Sequence, residues 1–388
     1  MSDVGYASSI TFRDLTLSKM LRPASRASFS LMLVAICGAV AGCGDDVGQR
    51  QPTVRARAAA FASTAVSSIG KEPFHFFSSS SFWNEPLPVG APLDPSSAAV
   101  VGAFDEEVAA SESPTGGPTI NTTSWSVPVY TVPADQPTVQ VKLENAPPTP
   151  ALQAAWSAVP LPPNAQPAAG TDGHLAVWQP STNRLWEFWR LEHTADGWQA
   201  QWGGAMQNVS SNPGVYGSEA WPGASSYWGG WASSLALVGG LISLEDLERG
   251  QINHALVMSV PDVRAGVYSS PAQRDDGTST DPLSLPEGAH LRLDPGLDLA
   301  ALHLPRLTLM IAEAAQRYGI FVGARGGSVA FYGQDPIPTG TEPYAGPGGY
   351  FEGTSPAQLL ASFPWSHLQL LKMSLHRNRR GLRRRSKR

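Results

Sequence analysis

The chain has 388 residues, 42% of them hydrophobic and 15% charged, a composition that folds rather than one that stays disordered. Its two cysteines, Cys37 and Cys43, both lie near the N-terminus, which excludes a disulfide framework, a cysteine-based zinc site and a thiol nucleophile from the rest of the chain. The net charge of −5 hides a segregation: residues 376–388 carry seven Arg and one Lys and no acid, whereas residues 43–375 hold 15 basic against 30 acidic groups. Binding nucleic acid needs a basic face, so an acidic body excludes it as a partner.

In chain order, Arg13, Lys19, Arg22 and Arg26 precede an uncharged run of 14 residues from Phe29 to Gly42. A membrane span needs about 20 residues, so this run is read as the apolar region of an export signal. It ends in Val40-Ala41-Gly42-Cys43, which resembles the bacterial lipobox. That resemblance implies a lipoprotein signal peptide over residues 1–42, a lipid-attachment site at Cys43 and a tether over 43–73. It places the exported chain in the bacterial cell envelope, anchored to the membrane through its lipid.

Residues 74–373 are expected to form one mainly β domain. Short runs bounded by Gly, Pro, Asn and Asp recur at 126–132, 138–143, 174–179, 184–191, 198–202, 252–260, 290–293, 320–324 and 329–333. This spacing predicts an antiparallel β-sandwich, jelly-roll-like, with a few short helices. The helices are signalled by Ser243 with Asp246 three residues on and Gly250 at the end, by Pro305 before RLTLMIAEAAQRY and Gly319, and by Ser355-Pro356. HLQLLKM reads as a last strand, and residues 374–388 as a basic disordered tail.

The most informative stretch is residues 171–193, TDGHLAVWQPSTNRLWEFWRLEH. It reads as a hairpin turning at Pro180 to Asn183, which pairs Gln179 with Arg184, Ala176 with Glu187 and His174 with Trp189. One face is then Leu175, Val177, Trp186 and Phe188. The other presents His174, Trp178, Glu187 and Trp189, with Asp172 beside them, and is expected to wall a ligand cleft. Nine of the twelve Trp fall between Trp156 and Trp231, and the glycine-flanked Trp228 and Trp231 are expected to offer ring faces to a sugar.

A second polar set comprises His254, inside an apolar strand, and Arg274 with Asp275, Asp276 and Asp281 in RDDGTSTD. That loop is similar to calcium loops but lacks their full spacing and terminal Glu, so no metal and no cofactor is expected. Ser218 lacks the second glycine of a nucleophile elbow, and no phosphate-binding glycine motif is present.

With SFWN at 81–84, WGGAMQNVSSNPG, GLISLEDLERGQINHAL, PEGAHLRLDP and PWSHLQLLKM, the chain resembles a group of exported bacterial proteins of unassigned function. The resemblance implies an exported globular domain and assigns no catalytic residue. In architecture the hairpin face is similar to jelly-roll and concanavalin-like carbohydrate-active proteins. The expected function is action on a polysaccharide or cell-envelope glycan, foremost as a glycoside hydrolase with catalytic Glu187, partnered by Asp172 or Asp276, and with His174 and His254 orienting or shuttling protons. Trp178, Trp189, Trp228 and Trp231 would bind substrate. The alternatives are a polysaccharide lyase, in which Arg274 or Asn121 neutralises a uronate, and a non-catalytic glycan-binding or envelope-structural lipoprotein.

Overall fold

The computed structural model describes residues 74–111, 117–144 and 149–378. The signal peptide, Cys43, the tether and the end of the basic tail lie outside the described residues. Among the described residues no helix is long and apolar enough to cross a membrane.

The first eight strands are β1 (Thr119–Asn121), β2 (Val127–Thr131), β3 (Val141–Leu143), β4 (Leu175–Gln179), β5 (Arg184–Trp189), β6 (Glu192–Thr194), β7 (Gly197–Ala200) and β8 (Trp202–Gln207). The rest are β9 (Leu256–Val260), β10 (Val267–Ser269), β11 (His290–Leu293), β12 (Ile320–Arg325), β13 (Ala330–Tyr332), β14 (Gln334–Asp335), β15 (Leu368–Leu370) and β16 (Leu375–Arg377). Five helices accompany them: α1 (Ser97–Ser111), α2 (Pro150–Ala155), α3 (Leu244–Arg249), α4 (Arg306–Arg317) and α5 (Pro356–Leu360).

Six strands form one sheet in the order β1-β13-β9-β12-β11-β15, and five form another in the order β14-β2-β4-β5-β8. Both are mixed, which corrects the antiparallel expectation. The parallel pairs are β1 with β13, β9 with β12, β2 with β4 and β2 with β14. Parallel neighbours need a long crossover, and the connections over 132–174 and 261–319 supply two of them. The fold is therefore mainly β with few helices.

Alternation along the six-stranded sheet divides its side chains between two apolar clusters. Leu256, Met258, Val260, Ile320, Val322 and Phe331 share one cluster with α1 and α4. In α4 the buried Leu307, Met310, Ile311, Ala314 and Ala315 follow the helical repeat and make one apolar stripe. Val257, Phe321 and Tyr332 belong to the other cluster, together with Leu175, Val177, Trp186 and Phe188 of the five-stranded sheet. The chain passes from one sheet to the other at Gly333, the single residue between β13 and β14.

Trp228, Trp231, Leu235 and Leu237 are buried in that second cluster, so the segment carrying them fills its interior. Trp83 is enclosed with them, its indole seated where side chains at Gly214, Gly239 and Gly240 would collide with it. Its carbonyl accepts the N–H of Ala255, so the N-terminal segment is stitched to the start of β9.

Several elements differ from expectation. Gly203 and Gly204 hide β8 in the sequence, and the small residues of α1 hide a helix whose Val100, Val101, Phe104 and Val108 are buried. The expected tail begins with β16, which pairs antiparallel with β10.

Candidate functional site

The hairpin register is the expected one for Gln179 with Arg184 and Ala176 with Glu187, with Asn183 in the left-handed conformation at the turn. The ladder ends at Leu175 and Phe188, so His174 lies just outside it. Both faces of β4 are buried, and the polar face does not wall an open cleft.

Glu187 is 0% exposed. The Tyr216 hydroxyl donates to its Oε2 at 2.7 Å and the Val238 N–H to its Oε1 at 3.1 Å, with the backbone N–H groups of Leu237 and Gly230 also directed at it. Burial raises its pKa to about 7 against these donors. A carboxyl group so enclosed fastens the segment around Val238 to the sheet and lies away from solvent. Trp178 is likewise buried, against Phe74 and Phe76. Trp228 and Trp231 are also buried, because Gly229 and Gly230 let their loop pack against Ser234 and Leu237.

Asp172, His174 and Trp189 do come together. The Trp189 Nε1–H points at Asp172 Oδ1 at 3.5 Å, and burial lowers the His174 pKa to about 4 despite the Asp172 carboxylate. His174 Nδ1 and Trp231 Nε1 make no hydrogen bond among the described residues. The His174 ring meets Trp231 edge-on at 5.4 Å, and Trp231 meets Tyr332 at 4.5 Å. Tyr332 is in turn the cross-strand partner of Asn121, which brings that expected residue to the same end of the fold.

His254 belongs elsewhere. Its Nε2 lies 3.0 Å from Asp246 Oδ2 and its Nδ1 2.8 Å from the Ala255 carbonyl. Two acceptors demand two protons, so the ring is a cation, and its pKa is raised by the Asp246 charge against the effect of burial. Asp246 also completes the capping box of α3 with Ser243. Through Asp246, His254 is tied to the start of α3.

Arg274, Asp275 and Asp276 form the second polar group. Arg274 Nη2 donates to the carbonyls of Trp231 at 2.9 Å and Gly229 at 3.3 Å, and its guanidinium lies 5.9 Å from the Trp202 ring. Beneath them is Glu287, which the sequence reading missed. It is 0% exposed, and neither carboxyl oxygen receives an N–H or O–H from a described residue. Burial first, then the adjoining carboxyl of Asp276 and the charge of Asp275, hold its pKa well above the usual carboxylate range, with Arg274 opposing. The acidic neighbours Asp276 and Asp275 disfavour a further negative charge on the buried Glu287 carboxyl group. Asp276 is exposed, which leaves this unit open to solvent on one side. Among the described residues no cluster of three ligating groups could hold a metal.

Trp189 and Trp202 are directly opposed across β5 and β8 and are both half-buried, so Arg274 and its carboxyl neighbours are linked through Trp202 to Asp172 and His174. Two surface hollows lie elsewhere, one beside Arg306 and Glu352 and one beside Asp94 and Asp105, and include none of these groups. Comparison with protein-family models, with curated proteins and with solved structures found no match.

Proposed function

We propose that the protein is an exported, lipid-anchored glycoside hydrolase acting on a polysaccharide, with the Asp276–Glu287 carboxyl pair as its proton donor. The observation that carries this reading is a fully buried carboxyl group whose polar neighbour is a second, exposed carboxyl group. A glycosidic oxygen leaves only when protonated, and an acid that keeps its proton near neutral pH supplies it. The usual two-carboxylate arrangement separates acid from nucleophile or base by about 5 to 9.5 Å. Asp276 neighbours Glu287, so the two fall on the acid side of the site, and the second carboxylate falls to Asp172, linked through Trp189 and Trp202 to Arg274. Trp202 supplies a half-buried ring beside Arg274.

The test is a reducing-sugar and unsaturated-product screen of the full chain on a polysaccharide panel, alongside Glu287→Gln and Asp276→Asn. Reducing ends formed by the wild type and lost in folded Glu287→Gln are expected. Unsaturated products would replace hydrolysis with elimination. Retention on one polymer without turnover would leave a glycan-binding lipoprotein, and neither turnover nor retention would sink the carbohydrate reading.

A further inference from the structure

Two side chains that the hydrolytic reading leaves idle sit together on the surface. Trp125 has φ of 52° and Arg190 has φ of 53°, both in the left-handed region where glycine is the inexpensive choice and a bulky residue is strained. They meet at one threonine: the Trp125 Nε1–H donates to Thr171 Oγ1 at 3.2 Å, and Arg190 Nε donates to the Thr171 carbonyl at 3.3 Å. The Trp125 indole lies over Gly170, where a Cβ would fall 2.7 Å from the ring, and yet 46% of Trp125 remains exposed. Packing does not account for holding a tryptophan in a strained conformation with one face in water.

The neighbouring contacts say what that face suits. With its N–H engaged by Thr171, Trp125 offers an apolar plate rather than a polar edge. The Arg190 guanidinium lies over the Trp189 ring at 4.6 Å, and its backbone N–H donates to the Asp172 carbonyl at 2.7 Å. An exposed indole face and an exposed guanidinium, both held on Thr171, suit a pyranose ring, its C–H face on the indole and its oxygens on the guanidinium. Trp189, beneath the Arg190 guanidinium, is the cross-strand partner of Trp202, whose ring lies 5.9 Å from Arg274.

We propose that Trp125 and Arg190 form a distal sugar subsite, so that the substrate is an extended chain rather than a short saccharide. This rests on the polysaccharide reading above. The probes are neutral cello-, xylo- and chito-oligosaccharides and uronate oligosaccharides, each as dimer and hexamer, titrated against the full wild-type chain and against Trp125→Gly, Arg190→Gly and Trp125→Phe. The glycine variants relieve the backbone, so their melting midpoints should hold or rise. Their affinity for the bound hexamer should fall about tenfold while the dimer is unaffected, with Trp125→Phe restoring part of the loss. Binding of uronate hexamers alone would identify an acidic sugar on Arg190, and binding of neutral hexamers a sugar read through its hydroxyls. Either supports the subsite. Unchanged hexamer affinity in both glycine variants, or a fall in melting midpoint with affinity intact, would overturn it. Turnover lost in Glu287→Gln alongside such unchanged affinity would remove this inference and leave the hydrolytic reading standing; a wild type that binds no probe and turns over no polymer would remove both.

Discussion

The Tyr216 hydroxyl bonds Glu187 from the space that a side chain at position 204 would fill: Gly204 is the cross-strand partner of Glu187, and a Cβ there would lie 2.5 Å from the Tyr216 ring. The absent side chain, the buried acid and the phenol form one device. Gly204→Ala is expected to push the ring off the carboxyl group and destabilise the protein by about 1 to 3 kcal/mol, read as a lower urea midpoint.

The same acid sets a pH dependence. Its folded pKa of about 7 lies above that of the unfolded chain, so the folded state holds the proton more tightly. The stability linked to it is complete below about pH 4, declines as pH rises and is lost by about pH 7, a change of about 3 kcal/mol. Glu187→Gln should flatten the urea midpoint between pH 5 and 8, values set by these pKa limits. An unaltered slope would show that the carboxyl group does not titrate in this range. Turnover per folded molecule should survive this substitution, unlike Glu287→Gln.

His174 works in the opposite direction. Its folded pKa is lowered to about 4, so it favours folding fully above its unfolded value and this contribution is lost as pH falls from about 6.5 to 4. His290, stacked on Phe321 at 3.8 Å and also lowered to about 4, adds a second such loss. Replacing His174 with Leu should remove part of the decline in melting midpoint between about pH 6.5 and 4, and replacing both should remove more, with His75, Asp94 and Asp246 carrying the remainder.

The expected hairpin pairs were legible because a short polar turn separates two strands of clear parity, and direct opposition follows from counting. That parity also marked which residues share a face with Glu187. Whether another layer covers that face was not legible, since Tyr216 and Val238 arrive from segments with no local relation to it. Trp228 and Trp231 misled for a related reason: glycine-rich sequence reads as an exposed loop, yet glycines also admit close packing. Glu287 sits in Pro-Glu-Gly, which reads as an ordinary turn; Gly288, at φ of 77° and with a Cβ position 1.8 Å from the Ser269 carbonyl, is what lets the chain turn its acid inward.

The Asp246–His254 pair gives a prediction separable from chemistry. His254→Ala leaves Asp246 buried without its cation and should cost about 3 kcal/mol, while turnover by the folded fraction is unchanged. A selective loss of turnover would return His254 to the active site.

Cys43→Ser should move the chain from the membrane pellet to the soluble fraction when cells are fractionated, if the lipobox resemblance holds. Equal membrane retention of both forms would remove the lipid anchor from the proposal.

Trp83 enters the interior within ten residues of the first described position and is gripped there by three glycine positions and by the N–H of Ala255. A pull on the chain from its N-terminal side would therefore reach the β9 end of the core through Trp83, after only the nine residues 74–82. Under a load applied from that side, the joint that carries the strain and the joint that organises the interior are the same indole.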